Sequence, residues 1–313
     1  IVPYKFGGSA LGGAVNVVLK EYPPVYMDFS YESGSFNTHQ ASPIFKWTNR
    51  KSGLQFGLGG VFSFSKNNYK MMLANLDNRI VKRDHDSFKM IIGGGSIKAT
   101  KWWFDEMKLE VVFTKTRQEV QGIDLDVREA FNHSCGFVTA FSLKRKNFFL
   151  DGLDFDFGAG YVRSWYGLQD KAKNRYDWDG RELPPVSSFG GEQNNYPSDG
   201  KNKSKEFISK LNMGYTIDEH HSINLNIYAD RTRLNPSDSL MDKALGFKSN
   251  FPSKMTTVTV GFSYDLSLFA GRFQNAFTLK NFYFSSHSRS ISVFSVTSPE
   301  PVHISKKYVG FSD

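Results

Sequence analysis

Few side chains in this sequence could ligate a metal ion, and they are poorly placed to do so. His220 and His221 are adjacent, and neighbours in an extended chain point to opposite faces, so they are poorly placed to chelate one ion. Asp124, Asp126 and Glu129 could offer oxygen ligands to Ca²⁺, but the glycine and further ligands of an EF-hand loop are missing. We interpret these acids as part of a solvated loop and predict no metal site.

Catalytic signatures are also missing from the sequence. Neither Gly93–Gly95 nor Gly57–Gly60 is followed by the Lys-Ser/Thr pair or the helix start of a phosphate loop. No Gly-x-Ser-x-Gly elbow occurs, and the Ser, His and Asp residues are scattered. Cys135 is the single cysteine, so no internal disulfide is possible, and we expect it to be a small structural residue. We predict that the chain is not an enzyme and carries no cofactor.

The segment from Leu168 to Lys205 has the composition of a recognition loop. It combines aromatic residues with arginines and acids, and exposed aromatics with Arg are typical of binding surfaces. The candidate ligand-binding residues in it are Tyr176, Trp178, Arg181 and Tyr196. The alternative is an unstructured surface loop with no binding role.

Alternation of apolar and polar residues predicts the strands that position this loop. A period of two with one polar face is the pattern of a half-buried strand, and roughly twelve such segments occur. Each is near the length of about ten residues expected for a tilted membrane strand. Clear apolar sets are Met27, Phe29 and Tyr31; Leu54, Phe56, Leu58 and Phe62; Leu153, Phe155 and Phe157; Ile223, Leu225 and Ile227; and Val258, Val260 and Phe262.

The connections between these segments alternate in length. Short turns are predicted at Asn49–Gly53, Ile97–Phe104, Lys146–Gly152, Asp218–His221 and Leu268–Arg272, and long loops at Lys66–Asp86, Arg117–Asn132, Leu168–Lys205 and Arg233–Ser253. Short periplasmic turns and long extracellular loops are the asymmetry of an outer-membrane barrel. The 15% aromatic content and the mean hydropathy of −0.41 fit strands that are apolar outside and polar inside. We predict an all-β, antiparallel transmembrane β-barrel.

The first twenty residues have a different character. Two glycine pairs, Gly7-Gly8 and Gly12-Gly13, precede a short apolar run that ends at Lys20. The stretch resembles the end of the plug domain of TonB-dependent outer-membrane receptors, in a version most similar to those of the Bacteroidetes group. The matching residues are Phe6, Gly7, Ala10, Leu11, Gly12, Gly13, Val15, Asn16, Val17 and Lys20.

The resemblance implies a domain division and a function. Residues 1–23 would be the end of the plug domain, and residues 24–313 the N-terminal part of the barrel, about twelve strands of a plugged barrel of 22. Such receptors import a scarce ligand, usually a ferric siderophore or other metal chelate, by plug displacement driven by the TonB energy-coupling complex. We expect a bacterial outer-membrane location with lipopolysaccharide contacts. We also expect an internal piece of a longer receptor, with signal peptide and TonB box upstream, which alone would not form a closed transporter.

The source of the positive charge, the function of the chain and the role of the polar-face glycines each leave an alternative open. The net charge of +8 is spread over loops and strand ends and not gathered in a block of 5–8 residues, so we predict no nucleic-acid binding. Contact with lipopolysaccharide or with an anionic ligand would explain the net positive charge.

The alternative function is a surface β-protein that binds glycans or proteins without transport. Polar-face glycines such as Gly57 and Gly261 either admit a plug backbone or bend the barrel wall.

Overall fold

The computed structural model describes residues 23–290 and 300–312. Its strands, in chain order, are β1 (Val25–Gly34), β2 (Thr38–Asn49), β3 (Leu54–Ser65), β4 (Lys70–Leu73), β5 (Arg79–Lys82), β6 (Phe88–Ala99), β7 (Glu106–Glu119), β8 (Phe131–Arg145), β9 (Leu153–Asp170), β10 (Arg175–Tyr176), β11 (Glu182–Leu183), β12 (Ser198–Thr216), β13 (His221–Asp238), β14 (Ser253–Leu268), β15 (Phe273–Ser290) and β16 (Glu300–Ser312). The plug-like motif, from Phe6 to Lys20, lies outside the described residues.

Twelve of these strands form one antiparallel sheet. Its order is β1-β2-β3-β6-β7-β8-β9-β12-β13-β14-β15-β16, so each strand pairs with the next long strand along the chain. The remaining strands form two small hairpins, β4–β5 and β10–β11, within loops. A short helix, α1 (Ser239–Leu245), lies between β13 and β14. In the described part of the chain, no helix has the length and hydrophobicity needed to cross a membrane.

The connections separate into two ends of the sheet. The turns at residues 50–53, 100–105, 146–152, 217–220 and 269–272 lie at one end, which we call the turn end. The segments at residues 66–87, 120–130, 171–197 and 239–252 lie at the other, which we call the loop end. The antiparallel order places successive connections at opposite ends of the sheet. The predicted alternation of short and long connections is confirmed except at residues 35–37, a short turn between β1 and β2 at the loop end.

Several predicted boundaries are corrected by the structure. The predicted loop Arg233–Ser253 begins later because β13 runs to Asp238, and the predicted loop Arg117–Asn132 is shorter because β7 runs to Glu119 and β8 begins at Phe131. β6 runs to Ala99, because Gly93–Gly95 continue the ladder as strand residues, so the turn begins later than the predicted Ile97. The predicted loop Leu168–Lys205 is shorter, since β9 extends to Asp170 and β12 begins at Ser198. The extension of β12, residues 198–205, is polar and lacks the apolar alternation on which sequence-based assignment depends.

One face of the sheet is apolar and exposed. Directly paired residues on neighbouring strands point to the same face, and one such row reads Leu143, Phe157, Leu211, Ile227 and Val260. Exposure is 61% at Leu58, 46% at Phe262 and 37% at Val260. Of the described residues, the buried hydrophobic ones are confined to Leu73, Val81, Ala99, Phe104, Val127, Ala130 and Ala172, none of them in the middle of a long strand. The packed core required by the surface-protein alternative is therefore not present in the described sheet.

The opposite face is polar and close-packed in places. Asn212 Oδ1 accepts hydrogen bonds from the side-chain amides of Asn224 at 3.0 Å and Asn226 at 3.3 Å. The nearest atom that a Cβ at Gly57 would meet is Ser96 Oγ, at 2.9 Å, and at Gly261 it is Lys280 Cγ, at 3.6 Å. Within the described residues, side chains of adjacent strands thus occupy the space beside these two glycines.

Candidate binding site at the loop end of the sheet

Three long loops pack together at the loop end. We call them the loop cap, defined as residues 66–87, 120–130 and 171–197. The first carries the β4–β5 hairpin and the third carries β10–β11. Each loop leaves and re-enters the sheet between adjacent strand pairs, so the meander order brings the loops side by side.

Two buried carboxylates hold the third loop against the second. Asp170 ends β9, is fully buried, and accepts hydrogen bonds from the backbone amides of Glu192 at 2.9 Å and Gln193 at 2.8 Å. The carboxylate of Glu192 accepts hydrogen bonds from the amides of Arg128 at 3.0 Å and Ala130 at 2.7 Å, and also from Glu129. We call Asp170 and Glu192 the carboxylate clasp. Because buried carboxylates are costly without partners, these bonds fix both loops.

Tyr176 takes part in the loop packing through both its backbone and its ring. Its carbonyl oxygen accepts a 3.0 Å hydrogen bond from the amide of Asp126, and the guanidinium of Arg128 lies 3.8 Å from its ring centroid. Arg128 Nε also donates to Asp126 Oδ2 at 2.8 Å, and this hydrogen bond is the main reason that the pKa of Arg128 is raised. One face of Tyr176 is therefore covered by the chain's own arginine.

Trp178 links all three loops. Its indole Nε1 donates a 3.0 Å hydrogen bond to the carbonyl oxygen of Ile123. Its own carbonyl oxygen accepts a 2.9 Å hydrogen bond from Arg79, whose guanidinium also pairs with Asp179 at 2.7 Å. Trp178, which the sequence predicts as a ligand-binding residue, thus connects the three loops of the loop cap.

Arg181 and Tyr196 are the two predicted residues that remain exposed. Arg181 donates its backbone amide to Asp177 Oδ1 at 2.8 Å, and its side chain is exposed. Tyr196 is 36% exposed. Exposed apolar residues of the same loop, Val186 and Phe189, extend the accessible surface.

The acidic residues of the second loop are not simply solvated. Asp126 is 7% exposed and forms an ion pair with Arg128, and Asp124 accepts a hydrogen bond from Asn75. The interpretation of Asp124, Asp126 and Glu129 as a solvated loop is therefore wrong for Asp126. Sequence alone did not identify Arg79 or Glu192 as partners, because their contacts join loops that lie far apart in the chain.

The histidine pair lies at the turn end. His220 Nδ1 is 2.8 Å from the carbonyl oxygen of Ser267, and His221 Nδ1 is 2.6 Å from the hydroxyl of Tyr264. Asp218 accepts the amide hydrogen bonds of both histidines, which lower its pKa. The two rings thus have different partners, with centroids 6.4 Å apart. They line a cavity of about 390 Å³.

Comparisons with known proteins show the fold. No family model and no curated protein matches the chain. Among solved structures, the ferric yersiniabactin uptake receptor FyuA of Yersinia pestis is similar with a TM-score of 0.59 at 12% identity, over 93% of this chain and 44% of that one. The siderophore receptor PiuA of Acinetobacter baumannii has a TM-score of 0.63 at 10% identity, over 98% and 49%.

The chain therefore spans less than half of the length of each receptor. At such low identity the similarity is one of fold. It confirms the predicted fold class, an all-β antiparallel sheet that corresponds to part of a larger receptor barrel.

Proposed function

We propose that this chain is part of a TonB-dependent receptor that imports a ferric siderophore or another metal chelate across the bacterial outer membrane. The observation that carries the proposal is the match of almost the whole chain to about half of two siderophore receptors. No bond is made or broken in this role. Ligand binding would bias the receptor between occluded and open states, and the energy-coupling complex would supply the work.

The two faces of the sheet support a membrane location. An exposed face of aromatic and aliphatic side chains is costly in water and favourable against lipid. The opposite face, with Asn212, Asn224 and Lys210, suits a polar lumen. In this arrangement the loop end faces the cell exterior and the turn end faces the periplasm.

The loop cap is the proposed recognition surface. Arg181, Phe189 and Tyr196 are all exposed in the third loop, and guanidinium groups with aromatic rings bind anionic, conjugated chelates through charge and stacking. Tyr176 and Trp178 would act by holding the loops in position. Tyr196 and Arg181 would touch the ligand.

The two parts of the chain have different roles in this proposal. Residues 1–23 would be the end of a plug of the Bacteroidetes type, with the motif from Phe6 to Lys20 packing inside the barrel. Residues 24–313 would be the first part of the barrel wall. The energy-coupling complex would contact the plug domain upstream.

The test is uptake of iron-55 bound to a siderophore by cells that carry the full-length protein as their only receptor for it. We expect uptake that requires the coupling complex and falls in the double variant Arg181→Ala and Tyr196→Ala, but not in the control variant Lys51→Ala at the turn end. Uptake that persists without the coupling complex would exclude energised transport. A protein that stays soluble without detergent would instead favour the surface-protein alternative.

A further inference from the structure

A continuous row of basic side chains crosses the apolar face near the loop end. The row is formed by residues that pair directly on six neighbouring strands: Arg163, Lys205, Arg233, Lys254, His287 and His303. All six are exposed. We call this set the basic row. With strands about 4.8 Å apart, it extends about 24 Å around the wall.

The Arg and Lys side chains of the basic row lack protein counter-charges. On this face of β9 and β12–β16, the only acidic residue among those described is Asp199, which lies within 3.5 Å of Lys171 and 4.0 Å of Lys201. More basic residues flank the row on the same face, namely Lys201, Lys203, Arg231, Arg289 and Lys307. Like charges directly opposite one another on a sheet are destabilising. Such a row is favourable where an anion outside the chain neutralises it.

The position of the row identifies where that anion lies. On β14 the residues from Val258 to Leu268 span 11 positions, and their outward members are apolar. About 9–11 residues of a tilted strand cross the hydrocarbon layer. Lys254 lies four residues beyond this segment toward the loop end, and Arg233 is its direct partner on β13. The basic row is therefore at the depth of lipid headgroups.

We infer that the basic row is a binding site for the phosphate groups of lipid headgroups in the leaflet at the loop end. Arg and Lys are the side chains that bind phosphate oxygens, Arg through its bidentate fork and Lys as a point charge. A row of this length can contact more than one phosphate, so a diphosphorylated glycolipid fits it better than a single small ion. The inference rests on the membrane insertion that belongs to the proposed function, and it adds a lipid specificity to the outer wall.

The basic row cannot be recognised from the linear sequence. Each member of the row lies on a different strand, so no block of consecutive basic residues marks it, and the charges come together only through the register of the strands. The row one step closer to the turn end contains Tyr161, Phe207, Arg231 and Thr256. Its aromatic and hydroxyl groups suit the boundary of the hydrocarbon layer, and Arg231 is one of the basic residues that flank the basic row.

The test compares two variants that lose the same charges. The row variant carries Arg163→Gln, Lys205→Gln, Arg233→Gln and Lys254→Gln. The control variant carries Arg50→Gln, Lys51→Gln, Lys146→Gln and Arg272→Gln, which also removes two arginines and two lysines, all exposed and at the turn end. The full-length proteins are purified from membranes in mild detergent, and binding of diphosphoryl lipid A is measured by native mass spectrometry at fixed ionic strength.

We expect the Kd of the row variant for lipid A to rise about tenfold or more, because each Lys or Arg near an anionic surface contributes to binding, and the control to change by less than about twofold. Wild-type protein should bind dephosphorylated lipid A as weakly as the row variant binds the intact lipid. Inorganic phosphate at the same concentration should not displace lipid A. Displacement by inorganic phosphate, a row variant with wild-type affinity, or equal losses in both variants would overturn the inference.

Two further measurements distinguish a loss of lipid binding from misfolding and from a loss of membrane insertion. Heat-modifiable migration in gels verifies folding, and if the fourfold variant does not fold, the pairs Arg163→Gln with Lys205→Gln and Arg233→Gln with Lys254→Gln take its place. Carbonate extraction of membranes reports insertion separately. Release of the wild-type protein by carbonate would contradict the proposed function, whereas retention in the membrane with lipid binding unaffected by the row would contradict this inference alone.

Discussion

The carboxylate of Asp170 and the backbone amide of Glu192 form a 2.9 Å hydrogen bond at a position with almost no solvent exposure. Asp170 closes β9, and Glu192 lies 22 residues later, near the return of the same loop to the sheet. The side chain of Glu192 then binds the amides of residues 128–130 in another loop. One strand end thus determines where two loops lie.

Replacing Glu192 by Ala should release the third loop from the second. The three amide groups that Glu192 binds lose their acceptor, and a buried donor left unsatisfied costs about 1–3 kcal/mol. Hydrogen exchange of residues 171–197 and 120–130 should increase, while that of β12 should not. Glu182→Ala, on the exposed side of the same loop, is the control. Unchanged protection in Glu192→Ala would show that the clasp does not hold the loops.

Arginine on the apolar face should oppose membrane folding. Phe157→Arg and Val260→Arg should each make the free energy of folding into bilayers less favourable by about 2–4 kcal/mol, the cost of a charge facing lipid. Thr257→Arg on β14 points to the other face and is the control. Urea titration in lipid vesicles measures the difference. Equal effects at positions 257 and 260 would reverse the assignment of the faces.

The strand pattern could be predicted from sequence because the period of two is local. Met27, Phe29 and Tyr31 on β1 show it clearly, and the structure places them on the exposed face. The pattern fails where glycine replaces apolar residues, as at Gly93 and Gly95 in β6, which share a face with Ile91 and Ile97. It also fails where strands continue past the apolar segment, as between Ser198 and Lys205.

The loop contacts could not be predicted, because they depend on which loops become neighbours. Arg79 and Asp179 are 100 residues apart and join only once β3–β6 and β9–β12 lie on one sheet. Composition indicated that residues 168–205 form a surface, but not that Trp178 would donate a hydrogen bond to Ile123 in the second loop. The basic row is another result of register that no linear window contains.

The loop end should be accessible from outside the cell. A cysteine in place of Asn194, in a Cys135→Ser background, should react with a membrane-impermeant thiol reagent on intact cells, since Asn194 is exposed in the loop cap. A cysteine in place of Ser52, at the turn end, should react only after lysis. The opposite result would invert the proposed topology.

Acid should weaken the turn that joins β10 and β11. Asp177 accepts amide hydrogen bonds from Arg181 at 2.8 Å and Asp179 at 2.9 Å, and these lower its pKa, with that from Arg181 the largest cause. A pKa lower in the folded state than the unfolded value of about 3.9 means that the stabilisation is complete above that pH. It is lost as the pH falls through the folded pKa.

Hydrogen exchange of residues 177–181, corrected for intrinsic rates, tests this behaviour. Exchange should accelerate below a pH of about 4 in the wild-type protein, because the protonated carboxyl is a weaker acceptor. Asp177→Asn should show faster exchange at neutral pH and no such acid transition. A transition of the same size in Asp177→Asn would assign it to another group.

The edges of the described sheet should need further strands. β1 and β16 each pair on one side only, and unpaired strand edges are not tolerated within lipid. Residues 1–313 expressed alone should therefore lack heat-modifiable migration and protease resistance, and should not support uptake. A compact, protease-resistant species that imports ligand would contradict this expectation.

The meander order of the sheet has a kinetic consequence. Every pairing joins strands that follow one another along the chain, so closing each hairpin requires ordering only the residues of one connection. Contacts of low sequence separation favour rapid folding. The wall can therefore be assembled one hairpin at a time from either end, each new strand using its predecessor as a template, and the slowest steps should be those that close the longest loop, between β9 and β12.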